Sequence, residues 1–275
     1  MRSLSGNTWI LISTGRRTIT IISKKWGWEL MENKAIDPAV RMIVAISKIL
    51  KNGEWVATGT LSPIPVAGCL LAKHTHAPDI TSIFFGDPAD RMADGLFELF
   101  GLVQKGKIDV FFLSGAQIDQ QGNINLICIG DYERPKVRLP GGAASNMLYA
   151  MSGRTILFTT THTKNLFVQQ ADFVNATAYD GAVTTPWRRG GLSHVVTPLC
   201  IMKFDTQIKK IVLDSVFPGI SVDTVAENTG FDLGIGKRTI PTVEPVHEEE
   251  LRILREVVAK EMRNIYPLFT EKLWG

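Results

Sequence analysis

Few side chains in this sequence combine reactive chemistry with useful spacing, and most of those stand where an apolar run stops. The stretch "TSIFFGDPAD" (81–90) is the sharpest case. Ile83-Phe84-Phe85 ends abruptly at Gly86-Asp87-Pro88, the pattern of a buried strand running into a turn. Asp87 and Asp90 are the carboxylates there, and a carboxylate at a strand end is placed for nucleophilic or acid–base work. A second candidate is "PGGAASN" (140–146). Gly141 and Gly142 permit close backbone approach, so exposed N–H groups could hold a phosphate or an oxyanion. The loop lacks the spacing of a dinucleotide fingerprint and the Lys-Ser/Thr of a P-loop, and a plain turn accounts for it equally well.

A third polar stretch, "AQIDQQGNIN" (116–125), sets Gln117, Asp119, Gln120, Gln121, Asn123 and Asn125 around Gly122 between apolar runs. It reads either as a turn held by its own side chains or as a loop presenting donors to a ligand. His74 and His76 could bind a metal only if extended and joined by further ligands, and none is near in sequence, so a helix-ending turn is the default. Glu248-Glu249-Glu250 suits the first turn of a helix, where the macrodipole favours negative charge. Nucleophile elbows, His-Glu-x-x-His and Walker loops are not found.

The elements that must position these loops follow from the apolar pattern. Helices are expected from Asp37-Pro38 to Asn52-Gly53, over 66–74, 91–105, after 145, over 221–230 and over 244–266. Strands are expected over 54–60, 80–85, 107–115, 155–162 and 171–176, with 194–205 and 208–217 forming a hairpin. Strands alternating with helices predict a single α/β domain, an open and largely parallel sheet with flanking helices.

Composition agrees. The chain has 275 residues, 45% hydrophobic and 21% charged, enough for a substantial core. Thirty basic against 27 acidic residues leave a net charge of +3, and no basic cluster interleaved with aromatics points to nucleic acid. Cys69, Cys128 and Cys200 lie far apart in apolar surroundings, which predicts small core residues in a reducing, cytoplasmic compartment. No apolar run is long enough to span a bilayer. Residues 1–30 are basic until Glu29 and are followed by Met31, so they are expected to be an extension ahead of a domain over 31–275.

Taken in order, "KHTHAPD", "SGAQIDQQGNIN", "IGDYERPKVR", "PGGAASN", "HVVTPLCIMKFD" and "FPGISVDTVAENTGFDL" resemble the β-type subunit of the two-subunit class I CoA-transferases, closest to that of the glutaconate CoA-transferases. The resemblance runs from about Val40 to Leu233, and "GAQIDQQGNIN" and "AENTGFDL" are its most specific parts. It implies a CoA-transferase/sugar-isomerase-like fold and a separate α-type chain, commonly in an α2β2 assembly with the active site between the chains. It implies an acyl-CoA thioester as substrate and no permanently bound cofactor or metal. In such transferases a glutamate of the β-type chain attacks the thioester. The glycine loop supplies oxyanion or CoA contacts, here Gly141, Gly142, Ala143 and Asn146. Ser62, Phe85, Gln117, Asp119 and Asn123 are the corresponding pocket positions.

This sequence departs from the pattern at the glutamate, whose place falls on Phe85. Pro140-Gly141-Gly142 is also shorter than the usual glycine/serine run, and Pro63 stands where glycine is frequent. Three readings follow. Asp87 could replace the nucleophile. The chain could belong to a hydrolase or ring-opening enzyme on the same scaffold, similar to the steroid ring-opening CoA-thioester hydrolases, with the catalytic glutamate in the α partner. Or it could be a non-catalytic structural subunit.

Overall fold

The computed structural model describes residues 10–12, 20–22, 36–89, 95–178 and 188–275. The chain divides into two units, Met1–Asp37 and Pro38–Gly275. In the first, β1 (Ile10–Ile12) and β2 (Thr20–Ile22) pair antiparallel. The other residues expected to form an extension, and Met31, lie outside the described residues, as do Asp90 and the start of the helix expected over 91–105.

The second unit opens with α1 (Pro38–Ile49), followed by β3 (Trp55–Thr58), α2 (Pro63–Lys73), β4 (Thr81–Phe84), α3 (Leu96–Gln104) and β5 (Val110–Leu113). A hairpin of β6 (Gln117–Asp119) and β7 (Ile124–Asn125) comes next, then a second of β8 (Cys128–Ile129) and β9 (Val137–Arg138). Helix α4 (Ser145–Met151), β10 (Arg154–Phe158), β11 (Phe167–Val168), β12 (Leu192–Val196), β13 (Cys200–Asp205), β14 (Lys210–Val216) and α5 (Val222–Glu227) follow. The chain closes with α6 (Glu248–Ile253), a π-helical segment Leu254–Val258, α7 (Ala259–Ile265) and α8 (Pro267–Trp274).

The main sheet has seven strands in the order β14-β13-β12-β10-β5-β3-β4. The five strands from β12 to β4 pair parallel, and β13 and β14 close one edge as an antiparallel hairpin. In chain order the parallel strands read 2-1-3-4-5, a doubly wound arrangement. The winding reverses between β3 and β5, so a crevice opens at their carboxyl ends. Val56, Ala57, Val110, Phe111 and Phe112 are buried because both faces of this region are covered.

One face carries α3 and α4, joined through Leu99, Val103, Phe111 and Leu148. A second cluster continues it, packing Ile118, Ile124, Tyr149 and Phe167 against Leu157, Val195, Met202 and Leu213. The other face carries α1, α2 and the π segment. Helices α1 and α2 cross so closely at Gly68 that a Cβ there would stand 2.7 Å from Ile46 Cγ2 and 3.0 Å from the Ile43 carbonyl oxygen, so only glycine fits.

Several boundaries differ from expectation. Helix α2 starts at Pro63 rather than 66, because proline suits the first helical turn. The expected strand 171–176 is irregular chain with one bridge, Ala176 to Ile124. Its Asp172 and Asn175 side chains bond elsewhere in place of a ladder. The run 194–205 is two strands, broken at Thr197-Pro198. The terminal helix starts at Glu248, where the Glu250 carboxylate accepts from the His247 N–H at 2.8 Å, and α8 continues beyond it.

Candidate functional site

The loops at the carboxyl edge fall into two groups. The first joins the ends of β3 and β4. Phe85 continues the ladder, its N–H donating to the Thr58 carbonyl at 3.1 Å, and its half-buried ring stands at the strand's end. The Asp87 N–H closes the turn onto the Phe84 carbonyl at 2.9 Å. One Asp87 carboxylate oxygen accepts from the Ala89 N–H at 2.8 Å, so the acid braces its own turn. Gly86 sits against Thr60, 3.4 Å from that side chain for an added Cβ, which brings the two strand-end loops together. Ser62 caps α2 and is buried, yet its side chain makes no capping hydrogen bond.

One residue here carries no signal in the sequence. Tyr266, just after α7, donates its hydroxyl to the Thr60 carbonyl at 2.7 Å and accepts from the Ser62 N–H at 3.2 Å. Burial raises its pKa. The Ser62 N–H opposes that shift, and the negative charge of Asp87 reinforces it. Beside it, a cleft of about 660 Å³ is lined by Lys73, Ser82, Phe84, Asp87, Glu261 and Asn264, among others.

The second group is the glycine loop. The Ala116 N–H, just past β5, donates to the Asn125 carbonyl at 2.9 Å. The next residue, Leu126, accepts from the Gly141 N–H at 3.0 Å. The loop is thereby tied to the carboxyl end of β5. Asn175 clamps it from the other side, donating to Ser145 Oγ at 2.8 Å and accepting from the Leu126 N–H at 2.9 Å. Gly141 has φ 103°, Ala143 φ 39° and Ala144 φ 62°. Two successive alanines in the left-handed region cost about 1–2 kcal/mol each, strain that the clamped loop must sustain. The Gly141 N–H is engaged by Leu126. The N–H groups of Gly142, Ala143 and Ala144 meet no acceptor among the described residues. Asn146 is exposed and lines a slot of about 370 Å³ with Met147, Met151, Val174 and Arg188.

Gln117, Asp119 and Asn123 are placed differently. Asp119 is 2% exposed, and its oxygens accept from the N–H groups of Gln121 and Asn123, both at 3.0 Å, and from the Asn123 side-chain amide at 2.9 Å. Gln117 accepts from Asn125 and from the Asp172 N–H and donates to the Asp172 carboxylate. The hairpin tip lies under Tyr149, whose hydroxyl donates to the Gly122 carbonyl at 2.7 Å, and against Leu192 at the start of β12. These side chains hold the hairpin together and its tip points away from the carboxyl edge, whereas Ser62, Phe85 and Asp87 gather there.

His74, His76 and His162 have partners within the chain. His74 meets Glu261 at 2.5 Å, and His76 lies 3.2 Å from the Leu50 carbonyl. His162 is buried between Thr197 at 2.9 Å and Thr229 at 3.0 Å. Thr229 donates to the Val225 carbonyl and Thr197 to the Cys200 carbonyl, so both hydroxyls are also held by backbone. Burial lowers the His162 pKa to about 4. Among the described residues no group of three or more His, Cys, Asp or Glu converges to hold a metal, and no helix is long and apolar enough to cross a membrane. All three cysteines are buried.

Comparison with known proteins finds relatives over most of the chain. Residues 82–228 match the family model described as coenzyme A transferase. The chain is 31% identical to the β-type subunit of 3-oxoadipate CoA-transferase of Pseudomonas knackmussii over 80% of its own length and 92% of that protein. The structure of glutaconate coenzyme A-transferase from Acidaminococcus fermentans superposes with a TM-score of 0.68 at 28% identity, covering 83% of this chain and 97% of that one. The cholesterol ring-cleaving hydrolase IpdB subunit of Rhodococcus jostii is 28% identical over 78% of this chain and 89% of that protein.

Proposed function

From the premise that this chain belongs to the coenzyme A transferase family, we propose that it is the β-type subunit of a two-chain enzyme acting on an acyl-CoA thioester, with the reactive carboxylate supplied by the α-type partner. The observation carrying this reading is the end of β4. Phe85 occupies the position that the family resemblance assigns to the nucleophile, and a phenyl ring cannot attack a thioester. The nearest described acid, Asp87, is engaged in its own turn. A half-buried ring there excludes water from the crevice and leaves the chemistry to another group.

The remaining parts suit a binding role. The N–H groups of Gly142 and Ala143 are directed by a strained, clamped loop and could meet a developing oxyanion. Ser62 stands across the switch point from that loop. A partner is supported by relatives named as subunits of larger enzymes, and by apolar side chains left in the open. Leu61 is 87% exposed, Phe97 80% and Leu268 81%, apolar area that a partner chain could cover. An α2β2 assembly covering them is the form we expect.

CoA transfer with Asp87 as nucleophile is the second reading, favoured by higher identity to a transferase subunit than to the hydrolase subunit. Co-expression with an α-type chain tests the common part. The purified pair should consume an acyl-CoA thioester that neither chain consumes alone. A chain that stays monomeric and active by itself would sink the proposal.

A further inference from the structure

The crossover loop between β3 and α2 sits at the switch point yet lacks the usual means of holding itself. Ser62 is the N-cap of α2, but its hydroxyl makes no capping bond. Pro63 and Pro65 carry no N–H, so the first turn of α2 has few donors with which to anchor the loop. We propose that Tyr266 is a positioning residue of the candidate site: its hydroxyl fixes the backbone of residues 60–62, and with it Ser62 and Leu61, from the far end of the chain. This rests on the acyl-CoA reading for what the loop serves, and on the geometry for how it is held.

One oxygen makes both bonds. It donates to the Thr60 carbonyl and accepts from the Ser62 N–H, so it spans Leu61 and holds that side chain outward. Only a neutral phenol can do both, which is the ordinary form of a tyrosine near neutral pH. The π-helical segment sets the phase of the helix carrying this residue. Its wider turn inserts about one extra residue, rotating everything after it by roughly 100° relative to an unbroken α-helix. With that rotation Leu254, Val258 and Met262 are buried and Tyr266 reaches the loop one turn later.

The test uses the complex of this chain with its α-type partner, in wild-type form and as Tyr266→Phe, which keeps the ring and removes only the hydroxyl. Amide hydrogen exchange reports on residues 59–66, calorimetry on binding of free CoA, and thermal unfolding on global stability. Losing two bonds from one hydroxyl should speed exchange at Ser62 roughly tenfold. CoA affinity should fall several-fold and the melting temperature by about 2–4 °C, with exchange in β10–β14 unchanged. A purely structural role would lower the melting temperature and leave CoA affinity alone, and that result overturns the proposal. Unchanged exchange at 59–66 overturns it as well. If the wild-type complex binds no CoA, the acyl-CoA reading fails and the positioning role with it, while the exchange data still show whether Tyr266 tethers the loop.

Discussion

A single substitution at the end of β4 separates the two chemistries open to this scaffold. Asp87 is the described carboxylate nearest the position of Phe85, and it braces a turn. Asp87→Asn keeps an oxygen to accept from the Ala89 N–H. Acyl-CoA turnover by the complex should therefore stay within about twofold, since no group bonded to the transition state is removed. A fall of three orders of magnitude or so would make Asp87 the nucleophile. Thr58, the last residue of β3, offers a separate stability test. Its hydroxyl is fully buried and without a hydrogen-bond partner among the described residues. Thr58→Val preserves shape and removes that unpaired group, so denaturant unfolding should show a gain of about 1 kcal/mol. Asp119 predicts the opposite. Asp119→Ala strips one acceptor group from three donors in a buried hairpin and should cost roughly 2–3 kcal/mol, with CoA binding by the surviving folded complex unchanged.

At the scale of elements, two desolvated histidines make the fold's stability pH-sensitive. His162, after β10, and His194, within β12, both have pKa values lowered to about 4 by burial. The Lys203 and Arg154 charges add to the effect at His194. The unfolded chain takes up these protons near the ordinary value of 6.5, whereas the folded chain does so only near 4. Stability should thus decline as pH falls from about 6.5 to about 4 and then level off, by about 3 kcal/mol for each histidine. Denaturant titrations at pH 7 and pH 4.5 measure this, and His162→Gln should remove roughly half of the difference. These elements also show what the sequence could reveal. Apolar runs such as Val110–Leu113 declare buried strands because their neighbours in the sheet demand it on both faces. The 116–125 stretch could not be resolved that way. Its polar residues are buried by partners such as Asp172, 55 residues from Gln117, which no local pattern displays. Asp119, by contrast, bonds within four residues, the self-held turn that was one of the two readings open from the sequence. The expected strand at 171–176 failed for the reason that the hairpin was hidden: side chains of that segment serve the hairpin and the glycine loop instead of a ladder.

At the scale of the whole molecule, the doubly wound order places the loops after β3, β4 and β5 by connectivity. Strands β3 and β5 part company at the switch point, and the loops after them and after β4 converge there. The alternation of elements made that architecture legible. The tie between Tyr266 and the loop after β3 was not, because Thr60 and Tyr266 are separated by 206 residues. Leu61, Phe97 and Leu268 are exposed, and the proposed function assigns the reactive carboxylate to the α-type partner. Trapping tests that assignment most directly. The two-chain complex is incubated with an acyl-CoA that it turns over, treated with borohydride or hydroxylamine to capture any carboxyl–CoA thioester on the protein, and each chain is mapped by mass spectrometry. With the carboxylate on the partner, turnover is full and no carboxylate of this chain is modified. A trapped adduct on this chain, at Asp87 or at any other of its carboxylates, would contradict that placement.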